Sequence, residues 1–228
     1  MYRVWILLLL PPVLLMALTT LVAIYYAIHG PGGPEGIRAG IAGWIPYLLM
    51  LNHGVLFLLY WRFVRADGSG FASVGWRLPA GRESLLMEPF YGLVCGIALG
   101  FFNKLFLSPV LGGFEGVTAT GTGPFSIADL DETTLIPFLI AGTLFAGVVE
   151  ESIYRGYAIT RLRVRIGTVP AVAVSTLLFG PLHFGLGWTA IFGAMVLGGF
   201  LAIVFLWRRN LLAATVAHAV INLIAVLF

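Results

Sequence analysis

The sequence predicts an all-α fold, a polytopic transmembrane bundle of about seven to eight helices. Three observations carry that prediction. Of the 228 residues, 60% are hydrophobic and only 10% are charged, whereas a soluble domain carries about 25% charged residues. The mean hydropathy is +0.99. Apolar runs of about 20 residues recur, the length a helix needs to cross a bilayer. Residues 1–228 read as one integral membrane domain, without internal repeats or low-complexity tracts. The net charge of +3 does not point to nucleic acid, because the basic residues sit in short loops between apolar runs. The single cysteine, Cys95, lies inside an apolar run. It excludes a disulfide framework and reads as a small buried side chain.

Val4 to Ile28 is the first expected span. It contains Pro11-Pro12 and is too long for the h-region of a signal peptide. Gly30 to Gly36 is a Gly/Pro cluster and reads as a loop. Ala39 to Tyr60 is the second span, and Arg62 to Glu88 is a polar connection containing Arg62, Arg65, Arg77 and Arg82. Pro89 to Val110 is the third span, with Asn103 and Lys104 in it. Leu111 to Thr134 is rich in Gly and Thr; it carries Glu115, Asp129, Asp131 and Glu132 but no Lys or Arg. The fourth helix starts near Leu135 and runs past Arg155 toward Arg165. Val169 to His183 is the fifth, Trp188 to Trp207 the sixth and Leu211 to Phe228 the seventh. A half-buried helix in either long connection would make an eighth element.

Basic residues set the expected orientation. Loops counted alternately put Arg3, the Arg62–Arg82 connection, Arg155 to Arg165 and Arg208-Arg209 on one side. The other side holds only Arg38. That asymmetry places the N-terminus and the arginine loops in the cytoplasm and the C-terminus outside, with the plasma membrane as the expected location.

One stretch stands out chemically. Glu150-Glu151-Ser152-Ile153-Tyr154-Arg155 ends an otherwise apolar run that starts at Leu135. Ionisable residues at membrane depth are expensive and usually mark function. On an α-helix i and i+4 share a face while i and i+1 diverge. Glu151 and Arg155 are therefore expected partners. Glu150 has no cation at that spacing and lies desolvated beside a second carboxylate, which suits a general base taking a proton from water. The plainer alternative is that both acids pair with arginines at a cytoplasmic helix end.

Two further stretches bear on that choice. Phe179 to His183 puts a histidine at the end of the fifth helix, and His218 and Asn222 lie at i, i+4 on the seventh. A lone His or Asn in a membrane helix often only ties helices together. Together, three helices offer polar side chains to one region. The other histidines, His29 and His53, lack an acidic neighbour at helical spacing and read as interfacial or packing residues. Glu150 and His183 lie 17 and 16 residues from Gly167, so in antiparallel neighbours both sit roughly 25 Å from that turn. Trp188 begins a full span only five residues after His183. Either the fifth helix tilts or Gly185-Leu186-Gly187 dips inward, as irregular backbone does where it lines a cavity.

The order Glu-Glu-x-x-x-Arg, Phe-x-x-x-His, His-x-x-x-Asn resembles the CAAX prenyl protease and bacteriocin-processing family, also called CPBP or Abi. Here the motifs are Glu150 to Arg155, Phe179 to His183 and His218 to Asn222, and Gly156 also fits. The resemblance covers residues 135–228, an expected catalytic core. It implies an intramembrane glutamate-dependent endopeptidase. It further implies that Glu150 activates water assisted by His183, that His218 and Asn222 stabilise the oxyanion, and that Glu151 and Arg155 hold the site. Eukaryotic relatives cut prenylated C-a-a-X proteins; bacterial ones are linked to peptide maturation, bacteriocin immunity or envelope regulation.

No cofactor is expected. Glu150, His183 and His218 could hold zinc with an open position, but H-E-x-x-H is absent, so metal-free water activation is preferred. The expected partners are a membrane-associated protein or peptide substrate and the lipid bilayer, not nucleic acid; the oligomeric state is open. Two other functions fit the same residues. A non-catalytic scaffold or immunity protein would use them as polar glue, and a proton-coupled transporter would use them as a relay.

Overall fold

Among the described residues, seven helices carry the chain back and forth. The computed structural model describes residues 1–31, 33–77, 82–112 and 130–227. Helix α1 spans Tyr2–His29 and α2 spans Gly33–Ala66. Helix α3 spans Arg82–Phe102 and continues through a π turn, Asn103–Leu107. Helix α4 runs Glu132–Ile166, α5 Thr168–Phe179, α6 Trp188–Arg208 and α7 Leu211–Leu227. Six helical stretches are long and apolar enough to cross a membrane, and α7 is a shorter apolar helix. No strand occurs among the described residues. The protein is an all-α transmembrane bundle.

Helix bounds differ from the sequence expectation mainly at proline and glycine. Helix α2 starts inside the expected Gly/Pro loop and runs past Tyr60. Pro11, Pro12, Pro46, Pro89 and Pro137 all lie within helices. In a bilayer a helix has no water to accept its freed backbone groups, so it continues where a soluble one would stop. Asp131 caps α4: its Oδ1 accepts from Thr133 N and Thr134 N at 3.0 and 2.8 Å, the reciprocal arrangement of a capping box. The remaining polar connection contains a 3₁₀ turn, Phe71–Val74. Val74 is fully buried, and Trp76 Nε1 donates to Ser152 Oγ at 2.8 Å, which pins this turn to α4. Glu115 and Asp129 lie outside the described residues.

Helices α3 and α7 pack more extensively than any other pair. The cause is a glycine every fourth residue. A Cβ on Gly92 would meet Ala213 O at 2.6 Å, on Gly96 Ala217 O at 2.8 Å, and on Gly100 Ile224 Cδ1 at 2.7 Å. Small residues at this spacing let membrane helices approach backbone to backbone. At one end of the bundle Asp67 gathers α1, α2 and α4. It pairs with Arg3 and with Arg161 at 3.1 Å, and accepts from Tyr157 OH at 2.8 Å.

Candidate active site

Glu150 is the last α-helical residue before α4 widens into a π segment, Glu151–Ile159, every residue of which is buried. Such widened turns are frequent at functional sites. Here they turn both motif carboxylates and the arginine into the bundle.

Glu151 is locked. Arg155 Nη1 lies 3.0 Å from Glu151 Oε1, with both side chains at most 1% exposed. Arg155 Nη2 donates to Gly198 O at 3.0 Å, and the guanidinium lies 4.3 Å over the Phe179 ring. Gly198 makes this possible, because a Cβ there would stand 2.8 Å from Nη2 and 2.9 Å from Phe179. His218 Nδ1 adds a contact to Glu151 Oε1 at 2.9 Å. A buried carboxylate held by a guanidinium and an imidazole is compensated; both contacts are to Oε1, and Oε2 has no hydrogen-bond partner among the described residues.

Glu150 is placed differently. Its Oε1 meets His53 Nε2 at 3.0 Å, and its Oε2 has no hydrogen-bond partner among the described residues. His218 Nε2 stands 3.7 Å from that free oxygen. Of the two readings expected for His53, interfacial or packing, burial excludes the interfacial one, and the hydrogen bond to Glu150 is a contact that the sequence did not indicate. His53 is 1% exposed, on α2, and its partner is 97 residues away in sequence. Helical spacing could not have found that pair; the signal available was a polar Asn52-His53 step inside an apolar span.

His183 lies in a 3₁₀ segment, Gly180–Leu186, that extends α5. At about 2.0 Å per residue this stretch lengthens the element more than α-helix would. It ends at Gly187, whose φ of 93° breaks the helix before α6. The close spacing of His183 and Trp188 is met by irregular backbone, and Gly185 and Leu186 line a cavity. His183 Nδ1 has no hydrogen-bond partner among the described residues. The Phe179 ring packs against His183 and His218, with centroids 5.0 and 5.8 Å away. Asn222 Nδ2 donates to Gly142 O at 2.7 Å; an amide has two such hydrogens, so one remains available.

Glu150, His53, His183 and Asn222 all line one cavity of about 150 Å³. The rest of its wall is apolar, including Leu15, Ile45, Phe138 and Leu182. Among the described residues, no three His, Cys, Asp or Glu side chains are set to hold a metal ion. Glu150, His183 and His218, the set considered for zinc, are not grouped in that way.

Residues 132–224 match the family model described as type II CAAX prenyl endopeptidase Rce1-like. All three motifs fall inside that range, and His53 falls outside it. No curated protein and no solved structure matches the chain.

Proposed function

We propose that this Rce1-like membrane protein is a glutamate-dependent intramembrane endopeptidase, with Glu150 as the base. The carrying observation is the division between the two acids. Each acid keeps an Oε2 without a hydrogen-bond partner among the described residues, but Glu151 is held at Oε1 by Arg155 and His218 and is not part of the cavity wall, while Glu150 lines the cavity with His183 and Asn222.

The reaction follows from that placement. Glu150 takes a proton from water as the water oxygen bonds to the scissile carbonyl carbon. The carbonyl π electrons move to oxygen, giving a tetrahedral oxyanion. The free N–H of Asn222 is one donor for that charge. His218, whose Nδ1 contacts Glu151 and whose Nε2 stands 3.7 Å from Glu150 Oε2, is the second donor. Donors fixed in advance around a developing oxyanion usually lower the barrier to acyl transfer more than any other single effect. Collapse expels the amine, which takes the proton back from Glu150. His183 orients the water. His53 fixes Oε1 so that Oε2 faces the water. Every step uses the chain's own side chains, so cleavage should survive chelators.

The substrate is the apolar segment of a membrane-associated protein or peptide. The arginine-bearing helix ends and the N-terminus lie in the cytoplasm. The test is a comparison of new protein termini in host membranes carrying the native chain or Glu150→Gln at equal abundance. Termini that vanish with the variant support the reading and name the substrate. An unchanged set with the phenotype intact refutes it.

A further inference from the structure

The two ends of the bundle differ in charge and in access to the site. Arg3, Arg62, Arg65, Arg77, Arg161, Arg163, Arg165, Arg208 and Arg209 all belong to the end where α1, α3, α5 and α7 begin. At the opposite end the described basic residues are Arg38 and Lys104, set against Glu35, Asp131 and Glu132. Arginine and lysine gather on the cytoplasmic side of a membrane protein.

The cavity runs the other way. Its inner end is buried Glu150 and His53. From there the lining climbs α2 to Ile45, α4 to Phe138, α5 through Gly185 and Leu186, and α7 through Asn222 to Ala225 and Val226. Every one of these steps leads away from the arginine end. Val226 lies eight residues past His218, about 12 Å along the helix. Exposure rises along the same path: Gly185, Leu186 and Val226 are half-buried and Ala225 is exposed. Toward the arginines the site is shut by Tyr60, Tyr154, Arg155, Tyr157, Leu162 and Phe179, none more than 2% exposed.

We infer that the site is entered from the non-cytoplasmic side, by an apolar peptide segment presented from that leaflet. The substrate class is then a translocated or membrane-inserted peptide, not a C-terminus tethered to the cytoplasmic face. This rests on reading the cavity as a peptidase site, but access can be measured without turnover.

The experiment uses the full chain in a bacterial inner membrane with Cys95→Ala as background. A membrane-impermeant sulfonated maleimide is applied to spheroplasts and, separately, to inverted vesicles. Gly185→Cys and Thr143→Cys report the cavity; a Cβ at Gly185 meets nothing within 4 Å. Val164→Cys, 81% exposed in the native residue, reports the arginine end. Both cavity variants should react in spheroplasts and not in inverted vesicles, with the reverse for Val164→Cys. Reaction of either cavity variant in inverted vesicles, failure of both in spheroplasts, or reaction of Val164→Cys in spheroplasts overturns the inference. An unchanged set of termini in the Glu150→Gln comparison would leave this labelling pattern untouched, so the two readings fail separately.

Discussion

Replacing His53 with leucine removes the one hydrogen bond that the described residues make to the Glu150 carboxylate. The bond is 3.0 Å long and both side chains are at most 7% exposed, so water does not screen it. A hydrogen bond to a charged group contributes about 1.5–3 kcal/mol. At about 1.4 kcal/mol per factor of ten, kcat/KM should fall roughly ten- to 150-fold if that bond holds the base in its reacting position. The loss should appear in kcat with KM little changed, because the base is misplaced while the apolar wall that binds substrate is intact. His53→Gln keeps an N–H donor near the same point and should recover most of the rate. The assay is steady-state cleavage of a substrate found by the termini comparison, with thermal unfolding in detergent as the check on folding. Native kcat in His53→Leu, or no difference between Leu and Gln at matched stability, would refute the positioning role.

Arg155→Met should destabilise the fold by about 3–5 kcal/mol, because it strands the buried Glu151 carboxylate; denaturant unfolding in mixed micelles reads this. Arg155→Lys should fall between, since a single ammonium cannot serve Glu151, Gly198 O and the Phe179 face together. Gly96→Ala should cost about 1–3 kcal/mol through overpacking, because the new methyl would stand 2.8 Å from Ala217 O and 2.7 Å from Val220 Cβ. A drop in melting temperature with a matching loss of activity is the expected result, since α7 carries His218 and Asn222. The Thr134 and Thr133 hydroxyls and amides hold the Asp131 carboxyl below its ordinary range. Its cap therefore supports α4 at neutral pH and is lost as pH falls through the carboxylate range. Protection of the first α4 amides from hydrogen exchange should decline over that window, and not in Asp131→Asn.

The seven helices were legible because apolar length survives without tertiary knowledge. So were Glu151 with Arg155 and the facing of Glu150 and His183, which follow from local spacing and one antiparallel turn. His53 was not legible, because its partner lies on another helix and nothing near it in sequence signals a charge. The glycines at 92, 96 and 100 were readable in principle, as a repeat of four on one face. The 3₁₀ turn at Phe71–Val74 was hidden by its polar neighbours: arginines flank a segment that nevertheless inserts Val74 and Trp76. Proline misled at α2 and α3, since its meaning as a helix terminator belongs to water.

The π segment at Glu151–Ile159 makes residue count itself part of the site. Each backbone bond there spans one residue more than in an α-helix, and one residue turns a helix by about 100°. Taking out a single residue such as Ala158 would let the coil tighten. The side chains within the segment, Arg155 among them, would then be re-aimed relative to Glu150, while the flanking α-helix keeps its direction. Substitution at each position in turn could never reveal this dependence, because every substitution preserves the count. It would surface as intolerance to a one-residue deletion at a position such as Ala158, away from the charged pair Glu151 and Arg155.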